Sequence, residues 1–158
     1  MPLDLLDHLD PDERLLAEDM LIEALHKMDT WPVRGLGYLR SAKALPALYV
    51  LLDKWQLAMK INVAFAIYQI NRDNGMVEVV LDEFPKINDE FALIDTFYLL
   101  PIFQDPRITA LLERYTHDKR YLVVYNAARA LGRPTDEVVK EFRKKGKPKS
   151  WWQRWRKG

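Results

Sequence analysis

Few side chains in this sequence are placed for reaction chemistry. Its three histidines, His8, His26 and His117, are scattered. None stands at a metal-ligand spacing from another histidine or a carboxylate, so they read as surface or helix-end residues. There is no cysteine, which excludes disulfides and thiolate chemistry and fits a reducing compartment. No glycine-rich phosphate loop and no nucleophile motif occurs. The one unusual carboxylate is Asp95, inside the apolar run FALIDTFYLL. A carboxylate there pairs with an arginine or caps a neighbouring backbone group. The expectation is a chain that is not an enzyme and holds no metal or cofactor.

Binding chemistry is better represented. Near the C-terminus Trp151, Trp152 and Trp155 interleave with Arg154, Arg156 and Lys157, after Lys144, Lys145, Lys147 and Lys149. Indoles and cations at this density suit a membrane surface, where rings sit at headgroup level and cations meet anionic lipid. They also suit phosphate backbones with stacked bases, although nucleic acid is the weaker of these partners. In a third alternative the segment folds back on an acidic body and its tryptophans cap the last helices. The net charge of +1 hides the asymmetry behind that idea. Residues 140–158 carry nine Lys/Arg against Glu141, whereas residues 1–139 carry 15 Lys/Arg against 22 Asp/Glu. An acidic body with a basic tail is a statement about partners rather than fold.

The elements that must position these residues are helices. At 158 residues, 49% apolar and 30% charged, the chain has the make-up of a globular domain with a real core. The longest apolar run, 97–103, is far shorter than the roughly 20 residues of a membrane span. The acidic start lacks the features of a secretory signal. A cytoplasmic protein is expected, peripheral at a membrane if the tail is an anchor. Asp10-Pro11 and Asp105-Pro106 are helix starts, with an acceptor at the N-cap and proline in the first turn. Helical spacing of apolar residues predicts helices over about 11–28, 31–39, 41–54, 55–70, 76–84, 89–100, 106–115 and 119–131. A short helix precedes them and another follows, with Val138, Val139 and Phe142. The stripe Leu15, Leu16, Met20, Leu21, Ala24, Leu25 and Met28 is the expected buried face of the first long helix. Gly35 and Gly37 predict fraying in the next. Gly132 is a natural residue just past a helix end. No strand alternation occurs.

Two ladders share one period. Leu36, Ile67, Leu99 and Leu131 lie 31, 32 and 32 apart, and Leu45, Met76, Ile108 and Val139 lie 31, 32 and 31 apart. A fixed period of this length marks stacked helical hairpins, each covering the apolar side of the next. The segments SAKALPALYVLLDK (41–54), DPRITALLERYTHD (105–118) and KRYLVVYNAARALG (119–132) resemble HEAT-like repeats, in particular the short repeats of phycobilin lyases. The resemblance spans roughly residues 13–142. It implies an all-α fold: an α-solenoid of about four antiparallel helix pairs in a right-handed superhelical stack, over residues 1–143. Residues 144–158 form a basic, Trp-rich tail.

In the HEAT-like family the second helix of each pair lines a concave face. Two residues before the ladder markers stand Arg34, Phe65, Phe97 and Arg129. Aromatic and arginine side chains are frequent interface anchors. Neighbouring positions add Tyr38, Lys60, Asn62, Gln69, Tyr125, Asn126 and Arg133. In the alternative, Phe65 and Phe97 pack on the next repeat and the arginines are solvated. The resemblance also touches HEAT-like alkylpurine glycosylases, which use an aspartate in an aromatic groove, as Asp95 beside Phe97 would be. The expected function is a non-catalytic protein–protein interaction module: a scaffold, adaptor or inhibitor of immunity type that holds a protein or peptide on its concave face. The alternative is a peripheral membrane or anionic-surface protein recruited through Lys147, Lys149, Trp151, Trp152, Arg154, Trp155 and Arg156.

Overall fold

Local signals set the helix boundaries. The computed structural model describes residues 3–146. Among these, every regular element is a helix. After a 3-10 turn at Leu3–His8, α1 (Pro11–Ala24) starts at Asp10. The Asp10 carboxylate accepts the N–H groups of Asp12 (2.9 Å) and Glu13 (2.8 Å), and the Glu13 carboxylate accepts that of Asp10 (3.0 Å). This reciprocal box satisfies donors that an open helix end leaves unpaired. Asp29 caps α2 (Thr30–Leu39), Asp89 caps α6 (Glu90–Phe97) and Asp105 caps α7 (Pro106–Tyr115). Ser41 caps a 3-10 turn that leads into α3 (Leu45–Lys54).

α4 (Leu57–Asn71) has no side-chain cap of its own. Its cap comes from α5 (Gly75–Glu83). The buried Glu83 carboxylate accepts the Leu57 N–H at 2.8 Å and the Lys86 ammonium at 3.3 Å. A carboxylate at a helix N-terminus also meets the positive end of the helix dipole. α8 (Tyr121–Ala130) and α9 (Asp136–Gly146) are the last of the described elements. At the end of α8, Gly132 turns left-handed at φ 69°, and Arg133 N–H and Gly132 N–H donate to the carbonyls of Ala128 and Arg129. That is the Schellman pattern, in which glycine avoids a Cβ clash. Arg40, Arg72 and Gln104 also turn left-handed, at φ 53°, 59° and 51°, and they lie 32 residues apart. Three chain reversals therefore recur with one period.

The order of packing follows the order of the chain. α2 packs on α4, α4 on α6, and α6 on α8. α1 lies against α2, α3 against α4, α5 against α4 and α7, and both α7 and α9 against α8. α4 is the most enclosed element, with residues 61–68 all buried. Leu36, Leu48, Phe84, Leu93, Ile108 and Leu112 fill the core around it. Polar bonds tie neighbouring pairs together: Tyr49 O–H to Asp73 (2.7 Å), Arg107 to Glu78 (2.7 Å) and Arg120 to the Asn88 carbonyl (3.4 Å). Arg107 and Arg120 also clamp Asp105 and Asp118, and these hydrogen bonds hold both carboxyls below the ordinary carboxylate value.

Three expectations change. α6 stops at Phe97 rather than near residue 100, and the chain passes through a turn into the 3-10 segment Leu100–Phe103. The stripe of α1 is not a buried face. Leu15, Leu16, Met20 and Met28 are exposed, and only Leu25 of that set is fully enclosed. Gly35 and Gly37 do not mark fraying, since both are buried within α2. A Cβ on Gly37 would stand 2.9 Å from the Ala66 Cα on α4, and one on Gly35 would stand 3.0 Å from Leu21. The missing side chains let α2 sit close on α4 at Gly37 and on α1 at Gly35.

Gly37→Ala opposes two effects. Alanine favours the helix by about 1 kcal/mol over glycine. Overpacking against a backbone atom costs about 1–3 kcal/mol. Because Ala66 Cα cannot swing away, the variant is expected to be less stable, by about 1 kcal/mol or more, in urea denaturation with an unchanged slope. A raised midpoint would show that the α2–α4 contact is loose.

Candidate functional site

The second helices carry a line of polar contacts. Arg34, at mid-length in α2, is largely shielded, with its side chain 16% exposed. Its Nε donates to Asn62 Oδ1 on α4 at 2.6 Å, and its Nη2 donates to Asp95 Oδ2 on α6. One guanidinium thus joins three helices that are far apart in sequence. Its planar fork of donors suits this, because it can serve two acceptors in fixed geometry. Asn62 is buried and fully engaged, since its amide also donates to the Ala58 carbonyl at 2.8 Å.

The pattern recurs between α6 and α8. Tyr98 O–H donates to Asn126 Oδ1, and the Asn126 amide donates to the Leu122 carbonyl at 2.8 Å. Asn62 and Asn126 therefore play one role, each held by its own helix and accepting from a side chain 28 residues earlier. Arg129 extends the line, with its guanidinium 5.8 Å from the centre of the Tyr98 ring. Tyr98 is 47% exposed and Arg129 is exposed, so this end of the line is open to solvent.

The remaining expected face residues divide. Tyr38 is half-buried and donates its hydroxyl proton to Asp7. That bond, with burial and the nearby Asp7 charge, raises the hydroxyl pKa above its ordinary value. Gln69 lies against Gly37 in a cleft of about 290 Å³ that also includes Asp7, Tyr38, Arg40 and Arg72. The Gln69 Oε1 is buried and accepts no hydrogen bond. Tyr125 is half-buried with its ring 5.8 Å from Tyr121. Arg133 turns to α7 and pairs with Glu113.

Two expected anchors are not on the surface. Phe97 is 0% exposed, its ring 5.7 Å from Phe84 and 5.5 Å from Tyr115. Phe84 and Tyr115 are themselves 5.2 Å apart, so the three rings form a cluster among α6, α7 and the 3-10 segment Phe84–Lys86 that follows α5. Phe65 is 9% exposed and belongs to the core on α4. A large ring gains more from burial than from a rim position, and in α4 and α6 this ladder position points inward. The surface line runs instead through Arg34, Asn62, Asp95, Tyr98, Asn126 and Arg129. Tyr98 and Asp7 are the residues that sequence reasoning missed. The 28-residue separation of Arg34 from Asn62, repeated by Tyr98 and Asn126, is the signal that could have found Tyr98. Lys147, Lys149, Trp151, Trp152, Arg154, Trp155 and Arg156 lie outside the described residues.

Chemically the line offers recognition groups. Asp95 is half-exposed but committed to Arg34. Tyr98, Asn126 and Arg129 present an aromatic ring, amide groups and a cation within one short span. Among the described residues, no three His, Asp or Glu side chains gather where a metal ion could sit, and no helix is long and apolar enough to cross a membrane. Comparison with protein-family models, with curated proteins and with solved structures finds no significant match in any of the three.

Removing each end of the Arg34 contact should have unequal effects. Arg34→Met leaves Asn62 Oδ1 buried without its donor and should cost about 1–3 kcal/mol. Asp95→Asn keeps an amide oxygen that can accept from Arg34 at a site water already reaches, and should cost less than about 1 kcal/mol. Urea denaturation of the two variants checks this. Equal losses would mean that the exposed ion pair, not the Asn62 contact, carries the stabilisation.

Proposed function

We propose that this chain is a non-catalytic protein-interaction module, built as a short HEAT-like α-solenoid. Its partner is a protein or peptide bound on the face shared by α2, α4, α6 and α8. The observation that carries this reading is the polar line from Arg34 to Arg129, which crosses all four of these helices. Several points support it. Helix follows helix with one period, both in the ladders and in the left-handed ends at Arg40, Arg72 and Gln104. Arg34 spans from α2 past α4 to α6, a distance of two helix spacings, or roughly 16–20 Å between axes. An arginine and an aspartate close such a gap most easily on an inwardly curved face. A concave strip with an exposed tyrosine and arginine matches the residue types that dominate binding energy at interfaces.

The test is affinity capture from a native lysate with three forms of the full chain. These are the unaltered protein, a Tyr98→Ala, Arg129→Glu variant, and a Trp151→Ala, Trp152→Ala, Trp155→Ala variant. Both face residues are exposed, so the first variant keeps its core. The expected result is one specific partner, retained by the tail variant and reduced at least about tenfold, or ~1.4 kcal/mol, by the face variant. Capture that survives the face changes and follows the tryptophans overturns the reading in favour of an anionic-surface protein.

A further inference from the structure

α1 has a packing neighbour on one side only, and it shows. None of its residues is buried. Leu15, Leu16 and Met20 are 61–62% exposed, and in the adjoining segments Met28 is 69%, Leu5 51% and Trp31 45% exposed; Met20 and Trp31 line one cavity. Between the first 3-10 turn, α1 and α2 lies a cavity of about 420 Å³, walled by Leu3, Leu6, Met20, Leu21, Trp31 and Pro32 among others. A grouped apolar surface of this kind marks an interaction site, whereas scattered exposed leucines would not. Its size is within the usual range for pockets, about 300–1,000 Å³. The charged residues of its wall are Lys27 and Asp29, and the segment that builds most of the wall is acidic in sequence. Residues 3–29 carry nine Asp/Glu against Arg14 and Lys27. The surface therefore fits an apolar, preferably aromatic, group flanked by cations.

The chain contains such a segment. Residues 147–158, KPKSWWQRWRKG, combine three tryptophans with five Lys/Arg and no acidic residue. They follow α9, at the far end of the packing order from the cavity. From α2 through α4, α6 and α8 to α9 there are four helix-to-helix steps, each 8–10 Å, or roughly 32–40 Å in all. Fully extended, the chain from Gly146 reaches at most about 18 Å to Trp151, about 22 Å to Trp152 and about 32 Å to Trp155, so at most the last indole touches the near limit of that span. The tail of a second copy is free of that limit.

We infer that the N-terminal cavity receives the Trp-rich C-terminal segment of a second copy. Indoles enter the apolar space, and Lys147, Lys149, Arg154 and Arg156 meet the carboxylates around it. The contact joins unlike surfaces, so copies associate head to tail rather than as a two-fold dimer, and form a ring or an open chain. Because the charges lie at the rim, salt weakens the association.

Sedimentation of two full-length variants tests this directly. Met20→Lys places a cation in the cavity wall of a chain with an intact tail. Trp151→Ala, Trp152→Ala, Trp155→Ala leaves the cavity intact and removes the indoles. Met20 is exposed, and circular dichroism of each variant checks that its helices are intact. The unaltered chain is expected to gain mass as its concentration rises, and to lose that gain in high salt. Each variant alone is expected to stay monomeric. Mixed, they should form a dimer of twice the monomer mass and nothing larger, since only one cavity and one tail remain. An unaltered chain that is monomeric at every concentration overturns the inference, as does a mixture that stays monomeric. Tryptophan-dependent binding to anionic vesicles by an otherwise monomeric chain would assign the tail to a membrane surface instead.

Discussion

No helix of this protein buries its apolar surface alone, and the helices packed against it supply the cover. This constraint accounts for the packing order. α4 has neighbours on several sides, and residues 61–68 are wholly buried. Among the described residues α1 packs chiefly on α2, and Leu15 and Leu16 stay exposed. The same constraint explains why several polar bonds between elements join residues about one period apart, such as Arg120 with Asn88 and Arg107 with Glu78. Even a helix cap is supplied by a neighbour, where Glu83 of α5 closes the start of α4.

Arg34 departs from this pattern. It reaches Asp95, 61 residues away, while also holding Asn62 on the helix between. A bond of that range resists relative movement of α2, α4 and α6. Its energetic weight rests with Asn62, since that amide is enclosed and an unmet buried acceptor is costly, whereas Asp95 has solvent as an alternative. Positioning of the face therefore depends on a nearly buried contact, and the proposed function assigns recognition to the exposed side chains farther along, Tyr98 and Arg129. A rigid base with an accessible end lowers the ordering cost of binding.

Much of the helical layout was legible in the sequence, because helix ends are encoded locally. Asp10-Pro11, Asp105-Pro106 and Gly132 each act through their own backbone neighbours, and each stands where its residue type requires. What was not legible depends on which side of a helix turns inward. Periodicity places Phe65, Phe97, Arg34 and Arg129 at one ladder position, yet two of them are in the core and one is fully open. The shortened α6 shifts its own surface register to Asp95 and Tyr98. Gly37 misled for a related reason. A glycine in a helix reads as a weakness until the helix that needs the space, α4, is known. The α1 stripe failed in the opposite sense: its pattern suits burial, but the fold provides nothing to bury it.

Native-state hydrogen exchange on the full chain tests the neighbour constraint most directly, because it reads the stability of each helix separately. The account predicts a graded profile. Amides of α4 between Ile61 and Tyr68 should exchange only through global unfolding, those of α2 and α6 nearly as slowly, and those of α1 and α9 at much lower cost. Uniform protection across α1, α4 and α9 would contradict it, since every helix would then draw on one shared core rather than on its neighbours.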